Sequence, residues 1–186
     1  MKGSKWNTFE KRIHTMFNKS EIEKYFNAEK TESLVFIIIG VVAIVAALCC
    51  LIWLKSSFSK GLAIPLIAVA LIQITVGYNV YRRSDAQRID IVYAFDMDPA
   101  KLRNEEVPRM MVVMKNFVVY RWVELALLAS GLILIFFYRN ESFQSFFFGL
   151  GIGLAMQSLL MLIADFFAEK RGQEYLDGLK HFLHLN

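Results

Sequence analysis

Cysteine, proline and glycine are scarce in this 186-residue chain, which has two cysteines, three prolines and ten glycines. The two cysteines, Cys49 and Cys50, are neighbours, and this excludes a disulfide scaffold because adjacent residues cannot staple distant segments together. So few prolines and glycines exclude a collagen-like or low-complexity chain. Charged residues make up only 20% of the sequence against 56% hydrophobic residues, which excludes intrinsic disorder.

The sequence does contain several long apolar runs. About 20 helical residues, at roughly 1.5 Å per residue, cross a hydrocarbon core of roughly 30 Å. Four runs are long enough: 34–54, 62–81, 117–138 and 146–168. Each should be helical, because a segment in lipid must satisfy its own backbone hydrogen bonds. The sequence therefore predicts an all-α integral membrane protein built as a four-helix transmembrane bundle.

The polar segments divide the chain into three parts. Residues 1–33 form an N-terminal arm, 34–168 the four-span bundle and 169–186 a C-terminal helix. The arm lacks the short apolar core and cleavage site of a signal peptide, so we expect the first span to be retained. Within the bundle, 82–116 is predicted to be a helical hairpin that extends the second and third spans.

Lysine and arginine are distributed unequally among the polar segments. The arm, the hairpin and the C-terminal helix carry seventeen of the 21, the other two loops carry three, and Arg121 lies in a span. Cytoplasmic loops are enriched in these residues, so we expect both termini and the hairpin to be cytoplasmic. The outline is that of a bacterial inner-membrane protein. The positive charge favours contact with anionic lipid headgroups, and we expect no nucleic-acid binding.

The arm contains an amphipathic stripe with basic residues beside it. The stripe consists of Trp6, Phe9, Ile13 and Phe17. Aromatic residues at helical spacing are typical of a helix that lies at the membrane surface, and packing on the protein's own polar part is the alternative. A second helix is predicted to begin at Glu21, because Ser20 and Glu23 have the spacing of a capping box.

Polar side chains inside the spans are the first candidates for function, because they are costly in lipid. Antiparallel threading brings four of them to one level near the cytoplasmic side: Asn79, Arg121, Glu124 and Asp165. We predict a buried ionic cluster in which the planar guanidinium of Arg121 bridges Glu124 and Asp165. Such a cluster either locks the bundle or binds a small ligand. Its excess of negative charge favours a proton or a cation.

Two further patterns concern contacts between the spans. Gln73 and Gln157 lie near mid-span, and we expect them to hydrogen-bond across the bundle. Small residues form one stripe on the first span and one on the fourth: Gly40, Ala43 and Ala47, then Gly149 and Gly153. Small residues let two backbones approach closely, so we expect the first span to contact the fourth, within one chain or between chains.

No catalytic constellation stands out in the sequence, which has no HExxH motif, no C-x-x-C pair and no evident Ser-His-Asp set. His181 and His184 are too few ligands for a metal site, and we expect no metal and no cofactor. We therefore expect a non-enzymatic protein that acts by protein–protein interaction, in an accessory, regulatory or toxin-immunity role, with another protein or a second copy. A small oligomeric transporter or channel for protons or cations is the first alternative. A membrane enzyme acting on lipid is the second.

Overall fold

The computed structural model describes residues 17–139 and 145–185, and within these ranges the chain is helical and has no strand. The elements are α1 (Lys19–Cys49) with a π-helical turn (Cys50–Leu54), α2 (Ser57–Met97), α3 (Pro99–Lys101) with a π-helical turn (Leu102–Glu106), α4 (Val107–Tyr138) and α5 (Ser145–Phe182). The all-helical prediction is thus confirmed. The four long helices are each long and apolar enough to cross a membrane.

Helix α1 runs without a break from the polar arm into the first apolar run. Asn18 caps it, with its side-chain oxygen accepting the Glu21 N–H at 3.2 Å. The predicted start at Glu21, with Ser20 in a capping box, is therefore two residues too late. Asparagine caps helices as well as serine does, and the helix uses Asn18 as its cap rather than Ser20.

The four long helices pack side by side in the order α1, α2, α5, α4. Helix α2 lies between α1 and α5, and helix α5 lies between α2 and α4. In the most apolar stretch, 39% of the residues of α2 and 28% of those of α5 are buried, against 11% in α1 and in α4. The two edge helices therefore expose most of their apolar surface.

Glycine allows the backbones of α2 and α5 to touch. A Cβ added to Gly61 would lie 1.9 Å from the carbonyl oxygen of Phe146, and one added to Gly149 would lie 2.2 Å from that of Phe58. Gly153 meets the side chain of Pro65 in the same seam. A side chain at these positions would force the two helices apart.

The two small-residue stripes face helix α2 from opposite sides. Gly40 of α1 lies against α2 at Ala70 and Ile74, and Ala43 and Ala47 pack in a small cluster with residues of α2 that include Ala63 and Leu66. Gly149 and Gly153 of α5 meet the other side of α2. The predicted contact between the first and fourth spans within one chain is therefore wrong, because α2 separates them.

The largest buried core lies beyond the apolar runs, where the ends of the four long helices converge. We call this part the polar-end bundle; it comprises residues 17–33, 82–116 and 169–185. Its core consists of Ile22, Tyr25, Phe26, Ile91, Ala94, Leu102, Val107, Met110, Tyr175, Leu176, Leu179 and Leu183. All three segments contribute to this core, so they fold as one packed unit.

One residue of the predicted amphipathic stripe packs into this bundle. Trp6, Phe9 and Ile13 lie outside the described residues. The ring of Phe17 contacts three other rings, with centroid distances of 6.1 Å to Phe95, 5.8 Å to Tyr175 and 6.3 Å to Phe182. For Phe17, the structure shows the alternative in which the stripe packs on the protein itself.

Candidate functional site

A cleft between α4 and α5 gathers ionisable side chains near the polar end of the apolar runs. Its volume is about 110 Å³. It is lined by Phe117, Arg121 and Glu124 from α4 and by Leu162, Asp165, Phe166 and Glu169 from α5. Three of the four residues of the predicted ionic cluster are therefore in one place.

Arg121 does not bridge Glu124 and Asp165, and this part of the prediction is wrong. Its guanidinium pairs with Glu169, one helical turn beyond Asp165 toward the polar end. The Arg121 side chain remains 47% exposed. A long arginine side chain near the end of an apolar run extends toward the polar region, where its charged group can remain solvated at a lower energetic cost.

Glu124 is deeply buried and has no hydrogen-bond partner in the described part of the chain. Only 3% of its surface is exposed, and neither carboxylate oxygen has a hydrogen-bond partner among the described residues. The carboxyl group of Asp165 lines the same cleft from the other side of the α4–α5 seam. Ionised carboxylates only accept hydrogen bonds, so two ionised groups here could not satisfy each other.

Asn79 is the predicted member that the cleft does not include. Its side chain is exposed and donates a hydrogen bond to the Thr75 carbonyl oxygen of its own helix at 2.9 Å. Helix α5 separates α2 from α4. Asn79 and Glu124 lie at a similar depth, but the helices that carry them are not neighbours, so the two side chains do not meet.

Gln73 and Gln157 meet as expected. The amide nitrogen of Gln157 donates to the side-chain oxygen of Gln73 at 2.8 Å, and both side chains are buried. This hydrogen bond joins α2 to α5 in the middle of the apolar region. Because each amide has a partner, the pair acts as a contact between helices.

Sequence reasoning missed a buried charged network in the polar-end bundle. Glu106 is 3% exposed and accepts two hydrogen bonds from Arg109, each at 2.7 Å, and one from the Tyr175 hydroxyl at 2.9 Å. Burial, together with the negative charge of Glu106, raises the pKa of Tyr175, so its hydroxyl stays a donor. The only signal in the sequence was the spacing of three residues between Glu106 and Arg109 on one helical face.

Ion pairs tie the helices together around this network. Lys19 pairs with Asp96 and Lys30 with Asp85, which link α1 to α2. Arg171 of α5 pairs with Glu32 of α1. The hydrogen bond and charge of Lys30 lower the pKa of Asp85. Each pair joins two oppositely charged side chains from different helices. These pairs therefore link the helices of the polar-end bundle to one another.

An apolar stripe on α2 is exposed on the outside of the polar-end bundle. Ile89, Tyr93 and Met97 are 64%, 65% and 70% exposed. They follow one another at intervals of four residues, and Ile91 and Ala94 on the other side of the helix belong to the core. None of the described residues covers this stripe, which we call the α2 stripe.

Within the two described ranges, no three His, Cys, Asp or Glu side chains are gathered in a way that would hold a metal ion.

The sequence matches no protein-family model, and no curated protein and no solved structure is similar to it. The residues and their geometry are therefore what bears on function.

Proposed function

We propose that this chain is a non-enzymatic integral membrane protein that binds another polypeptide through the α2 stripe. The observation that carries the proposal is the exposure of Ile89, Tyr93 and Met97 on a bundle that is otherwise well packed. Contiguous exposed apolar side chains mark interaction surfaces more often than they mark an inert surface.

Lipid is a poor occupant for this stripe. The second apolar run ends at Tyr81, so at roughly 1.5 Å per residue the stripe begins about 12 Å beyond it and ends about 24 Å beyond it. The headgroup layer on each side of the hydrocarbon core is only about 5–8 Å thick. A helix that continues along the membrane normal therefore carries Ile89, Tyr93 and Met97 out of the bilayer, where a protein surface can cover them.

Membrane insertion is supported by the two edge helices. Most of the apolar surface of α1 and α4 is exposed, which suits contact with lipid chains and would be unfavourable in water. Lysine and arginine are concentrated at the polar end, so we infer that the polar-end bundle and both termini are cytoplasmic. The bacterial inner membrane and anionic headgroups belong to the same proposal.

The bundle behind the stripe suits a binding platform. Glu106 is fully paired inside, and Ile91 and Ala94 of α2 are buried in the core behind the stripe. A surface that is already rigid loses little conformational entropy when a partner binds. An accessory or toxin-immunity protein would use such a surface.

A photo-crosslinking amino acid at Tyr93, in the full-length chain and in native membranes, tests this proposal. We expect an adduct with a second polypeptide, either another protein or another copy, and none from the same probe at Glu23, which is exposed on α1. Adducts with lipid only, with residues 1–16 of the same chain only, or with nothing would contradict it.

A small proton or cation transporter is the second candidate, favoured by the buried carboxylate of Glu124, which none of the described residues pairs with. Flux into proteoliposomes that contain the purified chain separates the two proposals. Proton or cation flux that Glu124→Gln abolishes would replace the interaction proposal with a transport function. Flux equal to that of empty liposomes would leave the α2 stripe as the functional surface.

A further inference from the structure

The geometry of the α4–α5 cleft points to a proton-binding site, and we propose that Glu124 and Asp165 hold one proton between their carboxyl groups. This inference goes beyond the proposed interaction function and does not depend on it. It rests on two observations: both oxygens of the buried Glu124 lack a partner among the described residues, and the carboxyl group of Asp165 lines the same small cleft.

The unsatisfied oxygens require a donor. An ionised carboxylate has only acceptors, whereas a protonated one also has an O–H donor. One proton therefore lets Glu124 and Asp165 hydrogen-bond to each other and removes one of two adjacent negative charges. Two carboxylates that share a site in apolar surroundings cannot both remain ionised without a large energetic cost.

The other charged groups of the cleft do not supply that donor. Arg121 of α4 is held by Glu169 of α5, and these two oppositely charged groups offset each other. The remaining walls are Phe117, Leu162 and Phe166, which are apolar and lower the local dielectric. Repulsion between ionised Glu124 and Asp165 is therefore poorly screened. A positive charge bound between them, such as a proton, would lower the energy of the pair.

A proton fits this site better than a metal ion does. Calcium takes six to eight oxygen ligands and magnesium about six, whereas the cleft offers two free carboxyl groups. No three-ligand group is present in the described part of the chain. A shared proton needs only the two carboxyl groups that are there.

Infrared spectroscopy of the full-length protein in lipid nanodiscs tests the assignment directly, because the C=O stretch of a protonated carboxyl is distinct from that of a carboxylate. We expect the titrating protonated-carboxyl band of the wild type to contain a component that is lost in both Glu124→Gln and Asp165→Asn, while the contribution of other carboxyl groups such as Glu29 remains. Glu174→Gln is the control, since Glu174 is an exposed glutamate of the same helix α5 that does not line the cleft, and it should keep the band.

Several results would overturn the site. One is a wild-type spectrum that matches both variants at every pH at which the proteins remain folded. Another is the persistence of this component in either Glu124→Gln or Asp165→Asn. A titration that is displaced by sodium or by methylammonium would also overturn it, because a larger cation would then occupy the pair. The two variants remove different halves of the pair, so loss of folding in one leaves the other to decide.

Discussion

At Glu106 a buried carboxylate is tolerated because every side of it is paired. Arg109 donates two hydrogen bonds and Tyr175 one, all inside the core of the polar-end bundle. Glu124 shows the opposite case, since it is equally buried but has no donor among the described residues. Two glutamates of the same exposure therefore have different roles, one structural and one proposed to bind a proton.

Removal of Arg109 should be costly. Arg109→Ala leaves Glu106 as a buried charge without its main partner, and loss of one member of a buried pair typically costs about 3–5 kcal/mol. Arg82→Ala is the control, because Arg82 is exposed and surface substitutions usually change stability by about 0.5 kcal/mol or less. Chemical unfolding in detergent measures both. Equal stabilities of the two variants would show that Glu106 is solvated.

Glu29 should make stability depend on pH. Burial raises the pKa of Glu29 above its ordinary value, although Arg83 acts in the opposite direction. Between the unfolded and folded pKa values the folded state binds more protons, so stability falls as pH rises through that interval. We expect Glu29→Gln to gain stability relative to the wild type as pH rises through the same interval, and to gain nothing below it.

Asp85 provides the contrast in sign. Its ion pair with Lys30 lowers its pKa, so its contribution is present at neutral pH and is lost as pH falls through the folded value. Asp85→Asn should therefore be less stable than the wild type at neutral pH and should approach it in acid. Thermal unfolding at a series of pH values measures both variants. Parallel pH profiles for Glu29→Gln and Asp85→Asn would contradict these assignments.

At the scale of the helix, the seam between α2 and α5 depends on glycine. A Cβ at Gly149 would meet backbone at 2.2 Å, whereas a Cβ at Gly172 would meet the flexible side chain of Met114 at 3.2 Å. We expect Gly149→Ala to destabilise the fold by about 1–3 kcal/mol through overpacking. Gly172→Ala should be neutral or stabilising, because alanine favours a helix over glycine by up to about 1 kcal/mol.

Unfolding measurements in detergent compare these two helical glycines directly. The result would contradict the described seam if Gly149→Ala were as stable as Gly172→Ala. It would mean that α5 approaches α2 less closely than the backbone positions indicate. Because both substitutions add the same methyl group to the same helix, a difference in propensity cannot account for a difference between them.

The sequence specified which segments are helical, but it did not specify which helices are neighbours. Apolar length and composition set the four runs, and a stripe of small residues marks a face that accepts a close neighbour. Gly40 and Gly149 both belong to such stripes. Each of them packs against α2, and the two stripes do not pack against each other. For the same reason Asn79 was predicted at the cleft, although α5 stands between it and Glu124.

At the scale of the whole molecule, two regions with different packing share the same four helices. The apolar part is an open row with two exposed edge helices, and the polar-end bundle has a continuous core. The core could not be predicted from any one segment, because the arm, the hairpin (82–116) and the C-terminal helix each supply only part of it. The proposed binding surface likewise could not be identified from the sequence alone, because it is the face of α2 that points away from that core.

Cysteine labelling of intact cells tests the central claim, that four helices thread the membrane and hold the polar-end bundle on the cytoplasmic side. In a chain with Cys49 and Cys50 replaced by alanine, single cysteines are placed at Ala100 and at Lys60, which are both exposed and lie at opposite ends of α2 and its continuation. A membrane-impermeant reagent should label Lys60→Cys in intact cells and Ala100→Cys only after permeabilisation. Labelling of Ala100→Cys from outside, or of both positions on one side, would contradict the account.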